Sequence, residues 1–170
     1  MKLLRIAIVI LSVGLLTTIG CKRNQNIRNA DADSDPDLKL ASEIQLERVY
    51  SGCIDCDDHT LTLRRGAGDL FADATVIRTN LHTKQQREGK LSAYYYNHLI
   101  ELIKSHGVME MDDQYAMGWI DALIVRMTIS IGDRHKTVRT SSEGKVPAKL
   151  WGFYMAIDGA ATRTKWNDVK

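Results

Sequence analysis

This sequence has few cysteines, few prolines and no long apolar segment. It contains three cysteines and two prolines among 170 residues. Its longest apolar run, residues 6–16, has about eleven residues and includes Ser12 and Gly14, whereas a helix needs roughly 20 apolar residues to span a bilayer. These shortages argue against a transmembrane helix and against a fold held together by several disulfides.

Motifs of the common catalytic and nucleotide-binding sites are also missing. The sequence has no GxSxG, P-loop, GxGxxG or HExxH pattern. Removal of residues 1–20 would take away Lys2 and Arg5 and no acid, so that 21 basic and 21 acidic residues remain. Because nucleic-acid binding relies on clustered Lys and Arg to neutralise phosphates, this balance argues against a nucleic-acid partner. We expect a protein that is not an enzyme and uses no cofactor.

The first 21 residues are the most informative segment. Lys2 and Arg5 accompany the apolar run, and Ile19-Gly20 leads into Cys21. A basic start, an apolar core of roughly 7–15 residues and a small residue before the cleavage site are typical of a secretory signal. A cysteine directly after that site is typical of a bacterial lipoprotein. We therefore predict cleavage after Gly20 and acylation of Cys21, palmitate included, since two or more acyl chains anchor a protein stably.

The predicted lipid would hold the mature chain at a membrane of the cell envelope. Lys22 occupies the position where an Asp often retains lipoproteins at the inner membrane, which favours the periplasmic face of the outer membrane in a Gram-negative cell. Residues 1–20 are then a signal peptide, 21–42 carry the lipidated cysteine and a flexible linker, and 43–170 form a single domain.

The predicted linker has an acidic residue at every second position from 31 to 37. An EF-hand loop that began at Asp31 would need Gly at its sixth position and Glu at its twelfth. Pro36 and Ser42 stand there instead. The polar composition therefore favours a solvated stalk between lipid and domain over a calcium site.

Alternating apolar and polar side chains predict several strands in the domain. The alternation is strict over Leu123–Ile131, and Gly132-Asp133 fits a two-residue hairpin turn. The segment Lys84–Lys90 is polar and is predicted as a loop. The predicted strands are Ile44–Leu46 (which can extend to Arg48), His59–Arg64, Leu70–Thr79 (as one or two strands), Leu123–Ile131 and Arg134–Thr140.

Two helices complete the predicted fold. The first begins at Ser92, which can cap it, and ends at His106-Gly107. The second begins at Pro147 and keeps apolar residues at helical spacing as far as Ala161. Because tight turns between strands favour antiparallel pairing, we predict an α+β fold in which an antiparallel sheet carries two helices on one face.

One cysteine pair remains once Cys21 is assigned to lipid. Cys53 and Cys56 are two residues apart in sequence, and an oxidising compartment makes a disulfide the default. A redox role is an alternative, although such pairs normally stand at the start of a helix and nearby carboxylates raise a thiol pKa. A metal site with His59 is a third reading, but a structural zinc site needs a second matched pair. We therefore predict no metal.

A strand that ends in Glu47-Arg48 is followed by Cys53 and Cys56, then by Leu61–Arg64 and Gly66. This order resembles an uncharacterised domain family of bacterial exported proteins and lipoproteins. The chain has one residue fewer between the cysteines than its relatives, and Asp57 stands where they have Pro. The family has no established activity, so the resemblance implies no catalytic residues. Further matching residues are Tyr115, Asp121, Lys136, Val138, Pro147, Leu150, Ile157, Asp158 and Trp166.

The sequence thus predicts a non-enzymatic envelope lipoprotein that binds a protein or cell-wall partner. The contact surface would be a sheet face, an open edge strand or exposed aromatic side chains. One alternative is a periplasmic thiol–disulfide oxidoreductase with Cys53 as nucleophile and Cys56 as resolving thiol. The other alternative is a small metal-binding module.

Overall fold

A computed structural model describes residues 36–53, 56–115, 122–142 and 144–167. The predicted signal peptide, Cys21 and residues 22–35 lie outside these ranges. In the described part of the chain, no helix has the length and apolar character needed to cross a membrane.

Eight strands form one sheet. They are β1 (Ser42–Tyr50), β2 (His59–Arg65), β3 (Ala74–Asn80), β4 (Gln86–Leu91), β5 (Gln114–Tyr115), β6 (Leu123–Ile131), β7 (Arg134–Ser141) and β8 (Lys165–Asn167). Their spatial order is β5-β7-β6-β1-β2-β3-β4-β8. Neighbouring strands are antiparallel, except that β5 runs parallel to β7. The longest strands, β1 and β6, lie side by side near the middle.

Two helices, α1 (Ala93–His106) and α2 (Ala148–Arg163), cover one face of this sheet. The inward side chains of adjacent strands are opposite one another, as with Ile44 between Leu63 and Ile129. Full burial of each such side chain stabilises the fold by about 1.5–3 kcal/mol. The helices contribute Tyr96, Leu99, Ile100, Ile103, Leu150, Phe153, Tyr154 and Ile157 to the same core. The predicted α+β fold is confirmed.

The predicted loop at Lys84–Lys90 is wrong, because most of that segment is strand β4. Only Gly89 and Leu91 of this strand are buried, so the apolar alternation that marks a strand is absent from its sequence. Pairing with β3 on one side and β8 on the other fixes its conformation. The short edge strands β5 and β8 also have no recognisable pattern in the sequence.

The ends of α1 follow the predicted pattern with one change. Gly107 adopts a left-handed conformation (φ 65°) and its N–H binds the carbonyl oxygens of the last turn. Ser92 stands at the N-cap, but its side chain makes no capping hydrogen bond. The carboxylate of Asp73 instead accepts the N–H of Ala93 at 3.1 Å. A residue from the β2–β3 connection therefore caps the helix.

The packed domain begins by Pro36, ahead of the predicted boundary at residue 43. Pro36–Lys39 form a 3₁₀ turn, and the Leu38 side chain is only 2% exposed. Arg65 donates a hydrogen bond to the carbonyl oxygen of Leu38 at 2.8 Å. The last residues of the predicted linker are therefore attached to the domain, and Leu38 is part of its core.

Candidate functional site: a disulfide-bonded turn and an uncovered sheet face

The predicted cysteine pair lies in the connection between β1 and β2. Cys53 and Cys56 are joined by a disulfide with their Cα atoms 5.6 Å apart. Cys53 is exposed, and Cys56 is partly buried. The pair stands between two strands and not at the start of a helix, where the helix dipole would lower the pKa of the first thiol.

The carboxylate of Asp58 connects this turn to the neighbouring turn between β3 and β4. The side chain is only 7% exposed. One oxygen accepts the N–H of Tyr50 at 2.8 Å, and the other lies 3.2 Å from Nε2 of His82. The main-chain oxygen of Asp58 accepts the N–H of Leu81 at 2.8 Å. This buried carboxylate thus holds the two turns together.

Asp57 and His59 contact each other on the surface of the same turn, and Asp57 also contacts β3. Asp57 forms an ion pair with Arg78 of β3. Nδ1 of His59 lies 2.7 Å from the main-chain oxygen of Asp57. Since the cysteine sulfurs are bonded to each other, they are not free to act as thiolate ligands. Among the described residues, no three His, Cys, Asp or Glu side chains are grouped so as to hold a metal ion.

Within the described ranges, the helices leave the other face of the sheet uncovered, and we call it the open face. Three rows of its side chains run across β7, β6, β1, β2, β3 and β4, and Val49 and Ile124 lie beside these rows on β1 and β6. The central row is Thr137, Thr128, Gln45, Thr62, Ile77 and Glu88. The flanking rows are Arg139, Arg126, Glu47, Thr60, Thr79 and Gln86, and His135, Ser130, Glu43, Arg64, Thr75 and Lys90. None of these residues is Phe, Trp or Tyr.

The open face combines hydroxyl groups with charges of both signs. Thr128 and Thr137 hydrogen bond to each other at 3.2 Å, and Arg126 lies 3.5 Å from Glu47. A depression of about 430 Å³ at one end is lined by Glu43, Arg64 and Thr75, among other residues. One solvated face is common in antiparallel sheets. A surface of this kind can both donate and accept hydrogen bonds along an extended partner.

Arg65 lines the depression, and Tyr96 packs against Arg65. The Arg65 guanidinium stacks 4.9 Å from the ring centre of Tyr96 and donates a hydrogen bond to Asn97. Burial lowers the pKa of Arg65. Burial also raises the pKa of Tyr96 to about 12, and the Tyr96 hydroxyl donates to the Ser42 carbonyl at 2.9 Å. These contacts hold the Arg65 side chain in place beside the depression.

A second polar cluster lies between the sheet and α2. Arg48 points to the helix side of β1 and donates a hydrogen bond to Asp158 at 2.7 Å. The Arg48 side chain is 15% exposed and Asp158 is 41% exposed. Burial raises the pKa of nearby Tyr154, whose hydroxyl accepts a 3.4 Å hydrogen bond from Thr140. Arg48 follows Ile44 and Leu46 at every second position, so the sequence alone could have placed its charged side chain on the inward side of β1. The sequence could not have identified Asp158 as its partner.

The chain matches no protein-family model and no curated protein. Lipidation of Cys21 and the family resemblance therefore stay predictions. The structure brings Cys53 and Cys56 together and places Asp57, Asp58 and His59 around them, while Cys21 lies outside the described residues.

Proposed function

We propose that this protein is a lipid-anchored envelope lipoprotein that binds a partner without catalysing a reaction. The signal that ends at Cys21 supports the anchor, and the bonded Cys53–Cys56 pair suits an oxidising compartment. The observation that carries the binding role is the open face, where three rows of mostly polar side chains lie on six strands.

The composition of the open face favours a polar, extended partner, such as a strand-like protein segment or a cell-wall polymer. Its threonine hydroxyls and its Glu, Arg and Lys side chains can form hydrogen bonds at regular spacing, because side chains on one face of a sheet repeat every second residue. Interactions of this kind between exposed groups are individually weak. Affinity would therefore depend on many contacts along the rows.

Site-specific photocrosslinking in intact cells tests this role. A photoreactive amino acid replaces Thr62 in the middle of the open face, and a matched variant carries it at Thr162, which is exposed on α2. We expect a crosslinked partner from position 62 and none from position 162. Absence of any product above background at position 62, or equal products at both positions, would contradict binding by the open face.

Thiol–disulfide exchange is a second candidate, because Cys53 is exposed at the tip of its turn. A substrate thiolate would attack one sulfur of the pair and release the other as a thiolate. A second substrate thiolate would then resolve the mixed disulfide, so that the substrate loses two electrons to the pair. A Cys56→Ser variant would trap mixed disulfides through Cys53, and the Cys53→Ser/Cys56→Ser variant is the control. The same mixed-disulfide bands on non-reducing blots of both variants would exclude this activity.

A further inference from the structure

Large apolar side chains are exposed on the outer face of the two helices. Trp151 is 50% exposed, Met155 is 55% exposed and Tyr94 is 64% exposed. Trp151 and Met155 are four residues apart and therefore lie on the same side of α2. A groove of about 360 Å³ between the helices is lined by Tyr94, Met155 and Gly159, among others. We call Tyr94, Trp151 and Met155, with their basic neighbours Lys149 and Arg163, the helix surface.

The helix surface differs in chemistry from the open face. The rows of the open face contain no Phe, Trp or Tyr, whereas the helix surface exposes Tyr94 and Trp151. Trp and Tyr have a general preference for membrane–water interfaces, since each joins an apolar ring to a polar group. The two faces of the domain therefore suit different surroundings.

Basic residues flank the exposed rings. Lys149 is exposed before Trp151, and Arg163 stacks 5.0 Å from the ring centre of Tyr95 at the other end of the groove. Long basic side chains can lay their apolar stems on a membrane surface while the charge contacts anionic headgroups. The acids of the two helices are Glu101, which lies 3.7 Å from His98, and Asp158, which is 41% exposed and paired with Arg48. Because each acid lies beside a basic side chain, Lys149 and Arg163 give this surface its attraction for an anionic membrane.

The point where the chain enters the domain lies beside the same helix layer. Asp37, in the first described turn, lies 3.1 Å from Nζ of Lys104 in the last turn of α1. Residues 21–35 separate that turn from the predicted lipid on Cys21. A segment of this length reaches at most about 50 Å when fully extended and about 20 Å on average as a coil. The anchor would therefore hold the domain within this distance of the bilayer, close enough for the helix surface to reach it.

From these observations we infer that the helix surface docks on the anionic lipid headgroups of the membrane that holds the anchor, so that the open face points away from the bilayer. This inference rests on the proposed lipidation of Cys21. Trp151, Met155 and Tyr94 enter the interface, and Lys149 and Arg163 contact the lipid phosphates.

Hydroxyl-radical footprinting of the lipidated full chain tests this orientation. The protein is reconstituted in vesicles of phosphatidylethanolamine and phosphatidylglycerol, and oxidation of each side chain is compared with that in detergent. We expect Trp151 and Met155 to be oxidised about threefold more slowly in vesicles, because an interfacial apolar face sinks about 5–10 Å into the headgroup region. His135, exposed on the open face, should be oxidised at an unchanged rate. Unchanged oxidation of Trp151 and Met155, or equal protection of His135, would overturn the inference.

A vesicle-binding measurement separates the docking surface from the anchor. The mature full chain with Cys21→Ala lacks the acylation site, so any binding to the same vesicles comes from the protein surface. We expect Trp151→Ser/Met155→Ser to weaken that binding about tenfold, and Thr62→Ser/Thr128→Ser on the open face to leave it unchanged. Equal binding by both double variants would overturn the docking surface even where mass spectrometry shows acylated Cys21.

Protection of Trp151 that rises with protein concentration in the absence of vesicles would assign the surface to a second copy of the chain and also overturn the inference.

Discussion

The Asp37 carboxylate lies 2.6 Å from Nη2 of Arg134 and 3.1 Å from Nζ of Lys104. It therefore joins the first described turn to the β6–β7 hairpin and to the end of α1. Burial raises the pKa of Asp37, but the hydrogen bonds from Arg134 and Lys104 outweigh this effect and hold the pKa below its usual value of 3.8. The chain that leads to the predicted anchor is thus fastened to both layers of the domain.

Replacement of this carboxylate should loosen that attachment. We expect Asp37→Asn to lower the free energy of unfolding by about 1 kcal/mol at neutral pH, a small value because Arg134 is half-exposed and solvent screens its charge. Urea unfolding measures this change. Asp112→Asn, at an exposed position, is the matched control and should change stability little.

The effect of Asp37→Asn should also depend on pH. A carboxyl group whose pKa is lower in the folded state stabilises the fold above its unfolded pKa, and this contribution is lost as the pH falls through the folded pKa. The stability difference between the native chain and Asp37→Asn should therefore be complete near neutral pH and shrink as the pH falls below about 4. A difference that stays constant down to pH of about 2 would contradict this assignment.

The Arg48–Asp158 pair predicts an asymmetric response to mutation. Asp158→Ala leaves the buried guanidinium without its partner, and Nε of Arg48 already has no hydrogen-bond partner among the described residues. Arg48→Met leaves Asp158 exposed enough to be hydrated. We expect Asp158→Ala to cost about 2 kcal/mol of stability and Arg48→Met to cost less. Chemical denaturation of both variants and the double variant measures the coupling, and a larger cost for Arg48→Met would contradict it.

Strand β8 packs closely against β4 at Gly89, where a larger residue would not fit. A Cβ atom at this position would lie 2.5 Å from Cγ2 of Thr164 and 2.7 Å from the carbonyl oxygen of Lys165. Gly89→Ala should therefore displace β8 and lower stability by about 1–3 kcal/mol, as measured by thermal unfolding. Gly66→Ala is the control, because nothing lies within 4 Å of a Cβ atom there. Equal effects of the two substitutions would show that β8 does not pack against Gly89.

Loss of the disulfide should destabilise the domain only modestly. The bond closes a loop of about four residues, for which the chain-entropy estimate is about 2 kcal/mol. We therefore expect Cys53→Ser/Cys56→Ser to fold and to unfold at lower urea concentration than the native chain. The Asp58 contacts to Tyr50 and His82 remain in this variant. Complete failure to fold would show that the disulfide contributes far more than its loop length implies.

Most of the central sheet and both helices could be predicted from sequence, because their side chains alternate or repeat with a clear period. β6 buries Val125, Met127, Ile129 and Ile131 on one side, and the strict alternation around them leaves one choice of inward face. The hairpin at Gly132-Asp133 follows from local turn chemistry, since Gly132 adopts a φ of 57°. Secondary structure can be predicted from sequence where neighbouring residues alone determine both the buried side and the backbone conformation.

Elements and contacts that depend on distant partners could not be predicted in this way. β4 is polar and is fixed as a strand by β3 and β8. The cap on α1 comes from Asp73 and not from Ser92. Arg48 and Asp158 are 110 residues apart in sequence. The cysteine pair of the candidate site was recognisable because its spacing is short, whereas the open face and the helix surface appear only when strands and helices are assembled.

The acyl state of Cys21 tests the account most directly. Intact-mass and peptide mass spectrometry of the protein purified from membranes would show whether the mature chain begins at Cys21 and carries lipid there, with Cys21→Ala as the control. The account predicts an acylated N-terminal cysteine and an oxidised Cys53–Cys56 pair. A chain recovered from the cytosol with residues 1–20 still attached, no lipid on Cys21 and three free thiols would contradict it.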